Sequence, residues 1–140
     1  MEILLPSPDS QASLRDIIET VQGEYRETKF TIEVKSKKLA PVDILIDLTI
    51  QVSALLLYDV IKRITTDMTD RKITPRLDAS SRHILAESIV TRNGATKFKL
   101  VRKSDGSDKS TYLFLDNRGN KHRIVVRVDA TSDYRFEEKK

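Results

Sequence analysis

The chain has no cysteine, which excludes disulfides, thiolate metal ligands, a cysteine nucleophile and thiol redox switching. Histidine occurs only at His83 and His122, so the common side chains for metal binding and general base catalysis are nearly absent. The four glycines stand apart from one another. Neither a Walker loop nor a dinucleotide glycine fingerprint can be traced, so nucleotide cradling is not expected. HExxH and GxSxG are missing too. No apolar run is long enough for a bilayer: the richest stretch, Ile44 to Ile64, is flanked or interrupted by Asp43, Asp47, Gln51, Asp59, Lys62 and Arg63. The opening MEILLPSPDS carries no basic segment ahead of its short apolar run, so neither a secretory nor a transit peptide is expected. The expected location is the cytoplasm, without membrane contact.

The 140 residues are 39% hydrophobic and 33% charged, which is compatible with folding. A chain of this length buries about two-thirds of the surface its unfolded state exposes. One domain over residues 1–129 with a flexible tail over 130–140 is expected. Charge is unevenly spread. The net +4 conceals 8 Lys and Arg against 12 Asp and Glu in residues 1–70, and 17 against 9 in residues 71–140. An anionic partner would therefore meet the second half.

Glu2 to Leu5 reads as a short strand closed by Pro6 and Pro8. Leu14, Ile17, Ile18 and Val21 then recur at helical spacing, with Ser13 and Asp16 placed for a capping box and Gly23 for a stop. KFTIEVK alternates strictly and predicts a half-buried strand. After Pro41 the period changes midway. Ile44, Ile46, Leu48, Ile50 and Val52 alternate, whereas Leu56, Leu57, Val60, Ile61 and Ile64 form a helical stripe with Ser53 as N-cap and Lys62 and Arg63 near the far end. Strand then helix is favoured over one long helix from Asp43 to Thr66, because Ile, Val and Thr crowd the first half. Thr65 to Ser80 reads as a polar connection with an extended piece at Lys72 to Leu77. Ser80 or Ser81 caps a second helix through about Thr91 with Ile84, Leu85 and Ile89 inward, ended by Asn93-Gly94. TKFKLVRK, STYLFLD and KHRIVVRV follow as strands, joined through Ser104-Asp105-Gly106-Ser107 and Asn117-Arg118-Gly119-Asn120.

The expected fold is α+β: a mixed sheet with two to three helices on one face and a C-terminal antiparallel three-stranded meander. The order of SLRDIIETV after EILL, then FTIEV, ILIDLTIQVSALLLYDVIKRI and the closing hairpin DNRGNKHRIVV resembles the effector-associated constant component domains of bacterial conflict systems. The resemblance covers roughly residues 1–66 and 111–128 and leaves 67–95 as an insertion. It implies a non-catalytic adaptor that joins a defence effector to its sensor.

Few residues suggest chemistry. His83 lies four residues before Glu87, so on a helix it would meet that carboxylate, as a general base or as an ordinary surface histidine. His122, between Lys121 and Arg123, has no second metal ligand in sequence reach. Asp43, Asp47 and Asp59 are close enough in sequence for a paired-carboxylate site or for plain capping and solvation. No cofactor and no metal is expected.

The meander offers the most specific constellation. If Asp116 pairs with Lys121, then Phe114 faces Arg123 and Tyr112 faces Val125, while Leu113, Leu115, Ile124, Val126 and Val128 form the core side. Closing the first hairpin at Ser104 and Ser107 sets Lys99 opposite Tyr112 and Lys97 opposite Phe114. The expected binding surface is thus Lys97, Lys99, Tyr112, Phe114, Lys121, Arg123 and Arg127. Such a face suits a protein partner or a homo-oligomer. A single-stranded nucleic acid is the alternative, with bases stacked on the aromatics. Catalysis is the least supported class.

Overall fold

Around Ser53, where the apolar period changes from two residues to a helical repeat, strand gives way to helix. The computed structural model describes residues 2–5, 8–36 and 44–139, with side chains over 14–30 and 50–139. Glu2–Leu5 (β1), Lys29–Ser36 (β2) and Ile44–Gln51 (β3) form an antiparallel sheet in the order β1-β3-β2. Pro8–Glu24 is α1, Ala54–Asp70 is α2 and Ala79–Arg92 is α3. Phe98–Asp105 (β4), Lys109–Asp116 (β5), Lys121–Arg127 (β6) and Ser132–Glu137 (β7) form a second sheet in chain order, each neighbour antiparallel. The fold is α+β. Where the pattern predicts one mixed sheet, the described residues form two antiparallel ones.

The two faces of α2 explain the division. Leu57 and Ile61 pack with Leu85, Ile89, Tyr112, Phe114, Ile124 and Val126, whereas Val60, Ile64 and Met68 pack with Leu14, Ile17, Ile18 and Val21 of α1. A helix apolar on two sides has to be covered on two sides. Each layer then supplies its own sheet. Ile50 and Val52 touch both clusters and join them.

Helix ends differ from the pattern in instructive ways. α1 begins at Pro8, a residue suited to a first turn, so Ser13 lies inside the helix and not at its N-cap position. Gly23 is likewise internal, and Asp16 pairs with Arg71 at 2.9 Å instead of serving a cap. α2 runs on to Asp70, which leaves Lys62 and Arg63 mid-helix. There Arg63 forks onto Glu24 at 3.0 Å and reaches Asp67 at 2.8 Å, tying α2 to α1. Ser53 occupies the N-cap position of α2 without a side-chain capping bond. The Ser88 hydroxyl of α3 takes over: it accepts from the Tyr58 N–H at 2.9 Å and donates to the Ala54 carbonyl, inserting itself into the first turn.

Ile73 and Leu77 are buried, so the segment after α2 is a packed connection rather than a solvated one. The Ile73 N–H bonds to the Met68 carbonyl and that of Lys72 to Thr69, a Schellman ending in which Lys72 stands at φ 59. Glycine suits that conformation better. Lys72→Gly is expected to raise unfolding free energy by about 0.5–1 kcal/mol, and an unchanged urea midpoint would speak against the assignment. α3 is capped by Asp78, whose side chain accepts from the Ser81 N–H, and not by Ser80 or Ser81. Leu85 and Ile89 point inward while Ile84 is 50% exposed. Gly94, at φ 96, ends α3.

Candidate functional site

Two hairpin registers decide what the meander presents to solvent. At the second turn Leu115 pairs with Lys121 and Tyr112 with Ile124, one residue away from the pairing Asp116 with Lys121. Asp116 and Asn120 close a three-residue loop in which Gly119 stands at φ 83. A one-residue slip turns every side chain of a strand to the other face. Accordingly Tyr112 and Phe114 lie on the helix side with Ile124 and Val126, at 3% and 1% exposure, and Leu113 and Leu115 lie outside, half-buried. The expected exposed pair of aromatics is core, and the expected core leucines are surface.

Closure of the first hairpin also differs. Asp105 pairs with Ser110, which puts Lys103 opposite Tyr112 with its ammonium 6.0 Å from the ring centre. Between Leu100 and Arg102 the register shifts by one at a β-bulge, so Leu100 pairs with Phe114 and Lys99 with Leu115. Lys97 and Lys99 therefore do not flank the two aromatics. Phe98 does, meeting Phe114 edge-on at 5.4 Å between ring centres.

Residues 130–140, expected as a flexible tail, contain β7. Its hairpin repeats the geometry of the one before: Arg127 N–H bonds to Thr131 carbonyl and Ala130 N–H to Arg127 carbonyl, as Asp116 N–H does to Asn120 and Gly119 N–H to Asp116. Ala130 sits at φ 71 where the preceding loop has glycine. Without a glycine, the turn carries no obvious signal in the sequence. The alternation of Tyr134 and Phe136 with Asp133, Arg135 and Glu137 is the signal that could have found the strand.

With four strands in register, the outer face has regular rows. One runs Arg102, Leu113, Arg123, Arg135 across the sheet; on either side lie Lys99, Leu115, Lys121, Glu137 and Ser104, Thr111, Val125, Asp133. α3 packs on β5 and β6 from the opposite side. Leu113, Leu115 and Val125 thus form an aliphatic strip between cations, over a concavity of about 370 Å³ that Arg102, Arg123 and Arg135 help to line. Of the expected binding residues, Lys99, Lys121, Arg123 and Arg127 belong to this outer surface; Arg102, Lys109 and Arg135 join them. Arg123 pairs with Glu137 at 2.8 Å and Arg127 with Asp133.

Of the remaining candidates, His83 and Asp59 meet charged neighbours within the fold, and Asp47 stands on β3 between Glu2 of β1 and Glu33 of β2. His83 Nε2 lies 2.6 Å from Glu87, and its ring meets Tyr112 edge-on at 5.4 Å. Asp59 pairs with Arg92 at 2.6 Å. Asp43 lies outside the described residues. Among the described residues no three His, Asp or Glu side chains gather as metal ligands, and no helix is long and apolar enough to cross a membrane.

His122 is buried, and its environment could not be seen in its sequence neighbours. Nε2 lies 2.9 Å from Asp116 and Nδ1 2.7 Å from the Tyr134 hydroxyl, a relay that joins the β5–β6 turn to β7. The bond to His122 and the backbone amides of Asn120 and Arg118 hold the Asp116 carboxyl down at about 2, against an ordinary 3.8. A carboxyl depressed in the folded state stabilises fully above its unfolded pKa, and that contribution is lost as pH falls through the folded one. Stability should therefore drop from about pH 4 towards pH 2, and Asp116→Asn should flatten this limb in urea titrations. A variant limb as steep as that of the parent would remove the assignment.

The described architecture is an α+β module with one sheet face covered by helices and the other cationic and open. No family model, curated protein or solved structure matches the chain.

Proposed function

We propose that this chain is a non-enzymatic protein-interaction module that docks a protein partner through the outer face of its second sheet, as an adaptor in a prokaryotic defence system. The defence setting rests on the resemblance of its N-terminal elements and closing hairpin to effector-associated constant component domains. The docking role rests on one observation, the strip of Leu113, Leu115 and Val125 set among arginines and lysines on a face that α3 leaves open. Aliphatic centres ringed by charge are how protein interfaces are built. Single-stranded nucleic acid fits this surface less well, because the rings of Phe98, Tyr112 and Phe114 belong to the helix side and bases would find no stacking platform.

A photo-crosslinking residue at Leu113, in the cells that make the protein, tests the role. The expected result is a defined protein adduct that is absent when the crosslinker stands at exposed Ile84 and is lost on Arg123→Glu. An adduct of twice the chain mass would identify the partner as a second copy. Adducts confined to nucleic acid, together with micromolar binding of a short single-stranded oligonucleotide that falls on Lys99→Ala, would replace this reading with the nucleic-acid one. No adduct above the Ile84 control would end both.

A further inference from the structure

Arg123 and Arg135 are direct cross-strand partners on β6 and β7, and Arg102 lies in the same row two strands away. Like charges set opposite one another cost stability. Three arginines in one row are thus poorly explained by the fold. Only Glu137 relieves them among the described residues, at 2.8 Å from Arg123 Nε and 4.0 Å from Arg135 Nε. Its carboxylate shows the geometry that the row accepts: an oxygen held between guanidinium groups.

Three neighbouring cations of this face, Lys99, Arg102 and Lys109, make no ion pair and face no acid across the strands among the described residues, while both acids of β7 on this side, Asp133 and Glu137, are already engaged by arginine. The surface therefore asks for negative charge from outside. It asks for apolar groups as well, since Leu113 and Val125 floor the concavity beneath Arg102 and Arg123. Guanidinium planes bind carboxylates through paired N–H groups, and the strand spacing sets Arg102 and Arg123 about 10 Å apart, with Arg135 about 5 Å beyond.

We infer that the partner docks an acidic, leucine-bearing segment across the strands, its carboxylates on the row Arg102, Arg123, Arg135 and its aliphatic side chains on Leu113 and Val125. This inference rests on the docking role of the outer face given above and specifies what that face recognises. Membranes and nucleic acids also carry negative charge. They are set apart by the floor: its outward-facing apolar side chains are the aliphatic Leu113 and Val125, while the rings of Tyr112 and Tyr134 turn to the helix side and offer no platform for a base.

The test uses the full chain and a fluorescein-labelled peptide of sixteen residues alternating two glutamates with two leucines, read by anisotropy. Binding in the micromolar range is expected, weakening roughly tenfold between about 50 and about 200 mM salt. Arg102→Glu and Arg123→Glu should each weaken it more than tenfold, and Leu113→Asp by a similar factor. Arg118→Glu, at the tip of the second hairpin, is the charge-matched control and should change it less than twofold. These side chains lie on the outer face, and a cooperative thermal melt confirms that each variant is folded. Polyglutamate of equal length should bind at least tenfold more weakly. If polyglutamate, an oligonucleotide of equal charge or phosphatidylserine vesicles bind as tightly as the peptide, the face is a general anion surface and the inference fails. No peptide binding alongside a persistent Leu113 crosslink would refute the acidic segment and leave the docking role in place; loss of both would refute both.

Discussion

Phe114→Ala is expected to lower unfolding free energy by about 3–5 kcal/mol, and Leu113→Asp, one residue earlier, by about 1 kcal/mol. The contrast follows from the register of β5 against β6. Phe114 is 1% exposed, with Phe98 edge-on at 5.4 Å, Tyr112 stacked at 6.0 Å and His83 at 6.3 Å between ring centres. Removing its ring leaves a cavity among rigid neighbours on β4, β5 and α3, and such cavities relax only partly. Leu113 sits half-buried between Arg102 and Arg123 on the open face, where an aspartate gives up part of the leucine's apolar contact and gains cationic neighbours. Urea denaturation of the two variants at neutral pH decides it. An unfolded Leu113→Asp protein beside a stable Phe114→Ala protein would mean that the faces of β5 are exchanged, and the interaction surface would fall with them.

Arg82→Met should cost about 3 kcal/mol or more, the other large effect. Arg82 is 5% exposed, and it spends its guanidinium on three acceptors: Nε donates to the Ser110 hydroxyl at 2.8 Å, Nη1 to the Leu77 carbonyl at 3.0 Å and Nη2 to the Gly106 carbonyl at 3.0 Å. Ser110 passes the link to Asp105, to which its hydroxyl donates at 2.7 Å. That bond, aided by Lys103 and Arg82, holds the Asp105 carboxyl below its ordinary value. Methionine keeps most of the volume but leaves the buried Leu77 carbonyl without its donor, a desolvation penalty of about 1–3 kcal/mol, and removes the charge-assisted bonds to the Ser110 hydroxyl, which keeps Asp105, and to the Gly106 carbonyl. Arg82→Lys should recover little, because an ammonium cannot span three divergent acceptors. Since Arg82 ties the start of α3 to the β4–β5 hairpin, amide exchange at Gly106 should accelerate in both variants. A full-stability Arg82→Met protein would show that these bonds contribute nothing net.

Three features of the fold had been legible as local patterns. The change of period at Ser53 placed the β3–α2 boundary, Asn93-Gly94 placed the end of α3, and strict alternation placed β2, because each depends on backbone preference and on which side of one element is apolar. The same kind of evidence read β7 as a tail, since Ala130 occupies a left-handed position that glycine usually marks. It also began the polar connection too early, because Met68, four residues after Ile64 on the same stripe of α2, stands among Thr65, Thr66, Asp67, Thr69 and Asp70.

Sequence alone thus determined the inventory: no thiol chemistry, few histidines, an α+β class, and a surplus of cations in the second half. Only the tertiary structure decided which side of the meander those cations share with leucines rather than aromatics, that His122 meets Asp116 and Tyr134, and that Arg82 is buried. The physical reason is the two-residue period of a strand. Either face of STYLFLD is apolar enough to be core, so its own composition cannot choose between them, and a single residue of loop length at Gly119 makes the choice.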